Sequence, residues 1–435
     1  MNRATPPPDL TMRPSQLPMP EAHTLLNGLR VLTLPDTRAP VVEFRLVLPF
    51  AGRAYDDPDW VGLASATARL MSAGTPTHTS FEIADEADRY GGSIGVSANT
   101  ETATLTARCL SAYLEPMTRL IADVLLHPTF PPDEVAIDRA NTLQRLRLQR
   151  SQPGFLAEER FRVALFGAHP YARLAPDENA LQRWGADELQ AFHAARYRPA
   201  EATLLAAGDF DPDALLPWLG DALAEWQGAA VAEPVPAPPM QTAETGWQLV
   251  PRPNSVQSHL MLGALCPPRN APDSLALQLA VSLLGSGASS RLFLTVREQY
   301  GYAYSVGAHL DYYLRVGAFV AEAQTATENT HDAVRQIRAE VERLINEPIP
   351  ADELQATRNY MIGRHMLGRI TLGGVADLYK QAVIYGLPLD YWQRYPDMLA
   401  SLTAQQAQAA AAQYLAPDRF VTVAVGEPNL GEASV

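Results

Sequence analysis

The sequence predicts an α+β protein built from two copies of one fold unit, each a mainly antiparallel sheet covered by helices. The chain has 435 residues, which is more than one hydrophobic core usually organises. Patterns typical of strands and patterns typical of helices occur in separate runs, which favours α+β over a strictly alternating fold. Markers in the first half of the chain recur in the second half. We therefore expect two domains of the same topology.

The internal repeat rests on three pairs of markers that keep the same order and nearly the same spacing. The stretch 133–139 (DEVAIDR) returns in the second half as 352–358 (DELQATR). Tyr197 and Tyr414 form the second pair, and each precedes an apolar strand pattern that ends in glycine. Those two glycines, Gly208 and Gly426, form the third pair. Three agreements at nearly one offset indicate a duplication.

The domain boundary is predicted at Ala229–Thr245, which is rich in alanine, proline and glutamate and has no periodic apolar face. Such a composition is typical of a semi-rigid linker. The predicted organisation is an N-terminal extension (1–24), a first domain (25–228), the linker (229–245) and a second domain (246–435).

Periodicity and turn residues order the elements within each copy. Ser80 is the candidate N-cap of a helix that Gly91-Gly92 ends. In the first copy we predict strands Arg30–Leu34 and Val41–Leu48, helices Trp60–Ala73 and Phe81–Tyr90, a hairpin of Ser93–Asn99 with Thr102–Cys109, and helices Ala112–Leu125, Asp133–Arg150 and Phe155–Phe166. In the second copy we predict strands near Trp247–Val250, His259–Leu265, Ala303–Tyr312 and Gly317–Gln324.

Composition excludes several classes of protein. The chain carries 34 basic and 48 acidic residues and no long basic run, so nucleic acid is not a predicted partner. No apolar stretch is long enough for a membrane span, and the longest candidates, Ser274–Gly285 and Ala404–Leu415, are amphipathic helix patterns. The segment Met1–Pro20 lacks the apolar core of an export signal, which predicts a cytoplasmic location, or a periplasmic one if a signal has been removed. Cys109 and Cys266 are predicted to be buried free thiols.

The histidines do not form a local metal site. No two of the nine are three or four residues apart, so a helix cannot present a pair of them on one face. The glycine-rich run 285–290 (GSGASS) lacks G-K-[ST] and follows a helix pattern, which indicates a turn and not a phosphate-binding loop.

The segment after that turn carries a specific resemblance. It reads SSRLF at 289–293 and then VREQYGYAYSV at 296–306. This pattern resembles the second-domain signature of the pitrilysin/insulinase family of zinc peptidases, especially its small bacterial and mitochondrial-processing-peptidase-like members. The resemblance extends over roughly residues 25 to 427. It implies the duplicated α+β fold, as one lobe of a clamshell.

This chain departs from the family's zinc site. Active members carry H-x-x-E-H after a G-L-A-type triplet, with two histidine ligands and a glutamate that activates water. After the triplet at 62–64 this chain reads SATAR, which places Ser65, Ala68 and Arg69 where the ligands and the base would be. The position of the third ligand falls on Arg145 or Leu146. The resemblance therefore implies no zinc in this chain, and two arginines there would repel a dication.

The family's second-domain arginine and tyrosine, seven residues apart, fall on Arg297 and Tyr304. In relatives such a pair faces the zinc and hydrogen-bonds the substrate carbonyl or the oxyanion, an effect typically of about 3–4 kcal/mol. The residues alone leave an alternative open. Arg297 would then be a surface arginine paired with Glu298 or Glu322, and Tyr304 a strand aromatic in the core.

Together these implications predict the non-catalytic, substrate-binding subunit of a heterodimeric zinc metallopeptidase. Its paralogous partner would carry H-x-x-E-H and the zinc, and Arg297 and Tyr304 would act in the partner's active site. Substrates would be peptides added as an extended strand to a sheet edge. Two alternatives remain: a structural subunit without a peptidase role, and a stand-alone peptide-binding module, for example a homodimer.

Overall fold

Strands and helices follow one another in nearly the same order in the two halves of the chain. The structure, a computed structural model, describes residues 17–230, 238 and 242–427. The strands are β1 Glu21–Thr24, β2 Arg30–Pro35, β3 Val41–Pro49, β4 Ser93–Ala98, β5 Thr102–Leu110, β6 Thr203–Gly208, β7 Gly246–Pro251, β8 Gln257–Cys266, β9 Ala303–Tyr312, β10 Gly317–Ala326 and β11 Val421–Gly426. The α-helices are α1 Leu63–Leu70, α2 Ser80–Arg89, α3 Leu114–Leu126, α4 Pro132–Arg150, α5 Pro153–Phe166, α6 Glu178–Arg183, α7 Ala186–Arg196, α8 Pro212–Ala222, α9 Ser274–Gly285, α10 Thr330–Asn346, α11 Ala351–Gly368, α12 Leu372–Ile384, α13 Tyr391–Ser401 and α14 Ala404–Tyr414.

The two sheets have the same topology, which confirms the predicted fold class and duplication. The first sheet has the order β1-β2-β6-β3-β5-β4 and the second has β7-β11-β8-β10-β9. Apart from the added edge strand β1, each strand has a counterpart at the same place. The pairs β2/β6 and β7/β11 are parallel, and the other pairs are antiparallel.

One helix from each half packs on the other half's sheet. Helix α5 lies against β8 and β11, where Phe161 and Leu165 join Val421 and Val423 in one buried cluster. Helix α12 lies against β3 and β6. Because each sheet buries its second face under a helix from the other half, the two cores depend on one another.

The segment that precedes the first domain also packs on the second half. Leu17 is buried in the second domain's core cluster, and Tyr379 donates a hydrogen bond to the carbonyl of Pro18. Residues 1–16 of the predicted extension, and most of the predicted linker 229–245, lie outside the described residues.

Local caps differ from the sequence prediction. The N-cap of α2 is Thr79 and not Ser80, because the Thr79 hydroxyl accepts from the amide of Glu82 and the Glu82 carboxylate accepts from the amide of Thr79. Ser80 donates instead to Glu134. The predicted helix Trp60–Ala73 contains α1 between two short 3₁₀ turns.

Helix α1 begins where a buried carboxylate caps it. Asp56 accepts from the amides of Gly62 and Ala64 at 2.8 and 2.7 Å. Burial raises the pKa of Asp56 to about 7, although these amides and two nearby arginines oppose the shift.

The prediction of two buried free thiols is confirmed for Cys109 and Cys266. Among the helices that the structure describes, none is long and apolar enough to cross a membrane.

Candidate functional site

The positions that would hold zinc lie on α1 and α4, which pack against each other. Arg69 on α1 reaches across this junction to α4. Its Nε and Nη2 atoms donate to the two carboxylate oxygens of Asp138 at 2.8 Å each, and Nη2 also donates to the Thr142 hydroxyl at 3.2 Å. A bidentate ion pair therefore joins the two helices at the place where zinc-binding relatives would hold the metal.

The side chains at these positions do not fit a zinc ion. Ser65 and Ala68 offer a hydroxyl and a methyl group, and the Arg69 guanidinium has no lone pair to give. Arg145 is exposed, whereas Leu146 is buried and follows Thr142 by one helical turn, on the face that meets α1. No group of three or more histidine, cysteine, aspartate or glutamate side chains suited to a metal occurs within the described residues.

One argument from the sequence needs correction here. We expected two arginines to exclude a dication by their charge, but Asp138 compensates the charge of Arg69 and Arg145 points into solvent. The misfit with zinc lies in the missing ligand set, since the Ser65 hydroxyl is the one group among the side chains at the zinc-ligand positions with a lone pair to give. Asp138 itself is a carboxylate that the sequence analysis did not single out, because its role depends on Arg69, 69 residues away.

The predicted arginine and tyrosine lie close together in the structure. Arg297 lies in the turn Phe293–Gln299 that precedes β9, and Tyr304 lies at the start of β9. The guanidinium carbon of Arg297 lies 5.6 Å from the ring centre of Tyr304 and 4.8 Å from that of Phe293. Tyr304 is 76% exposed, so the reading of this residue as a core aromatic is wrong. Arg297 also lies 3.5 Å from Glu298, but both side chains are exposed, so this ion pair contributes little to stability.

Local backbone geometry explains this placement. Phe293–Gln299 forms a π-helical turn, in which the amide of Tyr300 bonds the carbonyl of Thr295. Val296 is fully buried and anchors the turn, which leaves its neighbour Arg297 at the surface. Gly301, at a φ of +65°, then reverses the chain into β9. π-helical turns are rare and frequently occur at functional sites.

The neighbouring tyrosines have another arrangement. Tyr300 and Tyr302 stack on each other, with ring centres 5.3 Å apart and planes 5° apart. Arg291, in the same signature, donates through Nε and Nη2 to Glu353 at 2.7 and 2.9 Å and ties this segment to α11. These residues support the segment, while Arg297 and Tyr304 face solvent.

Each sheet ends in an outer strand that lies beside the candidate residues. The strands are β4, which packs beside α1, and β9, which carries Tyr304. Each of them has one edge without a strand partner among the described residues. Unpaired edges can accept an extended peptide as an additional strand.

Comparison with known proteins gives the family. Residues 30–174 match the family model described as insulinase (peptidase family M16), and residues 183–361 match the model described as the peptidase M16 inactive domain. A protein described as an uncharacterized zinc protease from Mycobacterium tuberculosis is 30% identical over 356 residues, which cover 80% of each chain. The chain therefore belongs to the insulinase family, peptidase family M16.

Three further likenesses extend over nearly the whole chain. An uncharacterized zinc protease from Streptomyces coelicolor is 25% identical over 407 residues, or 90% of this chain and 86% of that protein. The crystal structure of a peptidase M16 inactive domain from Pseudomonas fluorescens superposes with a TM-score of 0.88 at 26% identity, and covers 96% of this chain and 99% of that one. A protease from Helicobacter pylori, 20% identical with a TM-score of 0.86 over 95% of this chain and 100% of that chain, shares the fold.

Proposed function

We propose that this chain is the non-catalytic, substrate-binding subunit of a heterodimeric zinc metallopeptidase and that it contributes Arg297 and Tyr304 to the active site of its partner. The partner is a paralogous subunit with H-x-x-E-H, and the substrates are peptides. The observation that carries the proposal is the contrast between two sites in one chain. The zinc positions provide no ligand set for the metal, yet Arg297 and the exposed Tyr304 lie together at the surface.

The exposed pair has the chemistry that the role requires. The Arg297 guanidinium and the Tyr304 hydroxyl are hydrogen-bond donors that can stabilise negative charge on a peptide carbonyl oxygen during hydrolysis. The stack of guanidinium on phenol limits the freedom of both side chains before substrate binds. The zinc held by the partner would supply activated water. Membership of a peptidase family supports a role in peptide hydrolysis. The existence of a zinc-bearing partner subunit is part of the proposal.

The partner's identity tests the proposal most directly. We would add an affinity tag to the full chain in its source organism, purify it and identify what is retained. We expect a paralogue with H-x-x-E-H in equal amount, and peptide hydrolysis only when both chains are present. Recovery of the chain alone as a homodimer, or in a membrane complex without peptidase activity, would contradict the proposal and favour the peptide-binding module or the structural subunit.

A further inference from the structure

The second domain contains a cavity at the place that corresponds to the zinc site of the first. The cavity has a volume of about 420 Å³ and lies between β9 and the helices α9, α11, α12 and α13. Helix α9 packs beside the outer strand β9 as α1 packs beside β4. Arg364 and His365, both in the lining, correspond to Arg145 and Leu146 when the repeated stretches 133–139 and 352–358 are aligned.

The duplicated junctions differ in how they are filled. In the first domain, Arg69 and Asp138 close the space between α1 and α4. In the second domain the cavity stays open, and its size falls in the range of about 300–1,000 Å³ that is usual for ligand pockets. Duplication has thus produced one filled site and one open site.

The lining of the cavity is cationic and aromatic. It contains Arg269 and Arg364 and no aspartate or glutamate, and its walls include Tyr312, Tyr360 and Trp392. Within the described part of the chain, neither arginine forms an ion pair with a carboxylate. The carboxylate of Asp311, which stands in the chain between the lining residues Leu310 and Tyr312, lies 3.5 Å from His309.

Arg269 lies among aromatic side chains, hydrogen-bonds those of Tyr312 and Tyr391, and has one donor left over. Its guanidinium lies 5.0 Å from the ring centre of Tyr312 and 5.6 Å from that of Trp392. Its Nε–H is buried and has no acceptor. A buried donor without an acceptor carries a desolvation cost, and an anionic ligand at Arg269 would offset that cost. The aromatic rings and the apolar side chains of Val281 and Met361 surround the same space.

We propose that this cavity binds the C-terminal residue of a peptide, with Arg269 and Arg364 contacting the terminal carboxylate and the aromatic walls enclosing an apolar side chain. The inference rests on the proposed function, in which this chain binds peptide, and adds which part of the peptide is recognised. It also predicts a continuous path for the peptide. A second cavity, lined by Asn99–Thr102 of the first domain, shares Arg269 and Tyr312 with the first.

The test compares two forms of one labelled peptide that ends in phenylalanine, one with a free carboxylate and one with a carboxamide. Binding to the full chain is followed by fluorescence anisotropy. We expect the acid to bind about tenfold more tightly than the amide, since hydrogen bonds to charged groups contribute that much. Arg269→Gln should abolish the preference, and Arg364→Gln should reduce it.

The matched control is Arg335→Gln on α10, an exposed arginine that pairs with Asp332 and lies outside the cavity. This variant should keep the full preference. If thermal melting shows that Arg269→Gln does not fold, the exposed Arg364→Gln decides the result. Equal binding of acid and amide to the unmodified chain, or an unchanged preference in both cavity variants, would overturn the inference.

Further outcomes distinguish a peptide from a small free carboxylate as the ligand, and the cavity proposal from the proposed function. If N-acetylphenylalanine displaces the peptide as effectively as the peptide acid does, the occupant is a small carboxylate and the peptide assignment is wrong. An acid preference in a chain that has no H-x-x-E-H partner contradicts only the proposed function. Cleavage by the two-chain complex without any acid preference contradicts only the cavity proposal.

Discussion

At the scale of single residues, the side chains of Arg297 and Tyr304 contribute less to the stability of the fold than those of their neighbours. Tyr304 is exposed and Arg297 is half-buried, and the Arg297 guanidinium lies over the rings of Tyr304 and Phe293. Arg291, in contrast, is buried and forms an ion pair with Glu353. Substitutions at the exposed pair can therefore report on catalysis without altering stability, whereas a substitution at Arg291 would confound the two.

We expect Arg297→Ala and Tyr304→Phe each to lower peptide hydrolysis by the two-chain complex about 10²–10³-fold, the usual loss for one oxyanion donor. Tyr304→Phe keeps the ring and removes only the hydroxyl, so binding of substrate should change less than turnover. Steady-state kinetics with a fluorogenic peptide measures both. Tyr300→Phe and Arg335→Ala are the controls and should keep near-normal rates. Unchanged turnover in both Arg297 and Tyr304 variants would make this chain a scaffold.

Arg69, unlike Arg297 and Tyr304, is expected to contribute to stability, since it joins helices α1 and α4. Arg69→Ala would leave the largely buried Asp138 carboxylate without its partner. We expect the free energy of unfolding to fall by about 2 kcal/mol, between the values for exposed and buried pairs. Urea denaturation measures the loss. Arg89→Ala removes an exposed pair with Asp85 and should cost less than about 1 kcal/mol. Equal losses in the two variants would show that Arg69 does not stabilise the junction.

The side chains at the zinc-ligand positions of α1 and α4 predict the metal content of the chain. After dialysis against trace zinc, we expect the chain to hold well below one zinc ion per molecule, because Ser65, Ala68, Arg69 and Leu146 provide no ligand set. Elemental analysis of the dialysed protein measures this. A variant that combines Ser65→His, Ala68→Glu, Arg69→His and Leu146→Glu is the positive comparison. One tightly held zinc ion per unmodified chain would overturn the assignment.

At the scale of elements, the sequence predicted most strands and half of the α-helices within a few residues, because their apolar periodicity matches the burial that the fold imposes. Ser274–Gly285 and Ala303–Tyr312 agree at both ends. The π-helical turn Phe293–Gln299 was not predicted, since its hydrogen bonds depend on the buried anchor Val296. The partner of Arg69 and the second-domain cavity were missed for the same reason. Each depends on packing between elements distant in sequence.

Two helices carry buried histidines that should make stability depend on pH. Burial lowers the pKa of His193 on α7 and of His365 on α11 from 6.5 to about 4. His193 is neutral in the fold and its ring Nε2 lies 2.8 Å from the carbonyl oxygen of Leu125, with which it hydrogen-bonds. As the pH falls below 6.5, the unfolded chain takes up protons that the folded chain does not. The stability contributed by the neutral rings is complete above that pH and is lost towards pH 4.

For one such histidine we expect the free energy of unfolding to fall by about 1.3 kcal/mol between about pH 7.5 and pH 5.5. Urea titrations across this range measure the slope. His193→Gln can keep a donor to Leu125 and removes the titrating group, so its stability should fall by that much less over the same interval. An identical slope in the variant and the unmodified chain would show that His193 is not buried in its neutral form.

At the scale of the whole molecule, duplication has given two domains that do not each complete their own core. Helix α5 covers the second sheet and α12 covers the first. Arg45 on β3 reaches Asp377 on α12 at 3.2 Å, so a polar link joins the halves as well. The sequence predicted two repeated units and a linker between them, but not this exchange, because an apolar helix face does not specify which sheet it will cover.

The exchange predicts what happens when the chain is cut between its domains. We would insert a site for a specific protease within 229–245 and cleave the folded protein. The two fragments should elute together in gel filtration and separate only in denaturant, because separation would expose Phe161 and Leu165 on α5 and the faces of both sheets. Residues 1–230 expressed alone should aggregate or show weakened helical circular dichroism, since the uncovered sheet lacks α12. An insertion-bearing but uncut protein is the control for the insertion itself. Fragments that separate without denaturant and stay folded would show that each domain is self-sufficient and that the exchanged helices contribute little to stability.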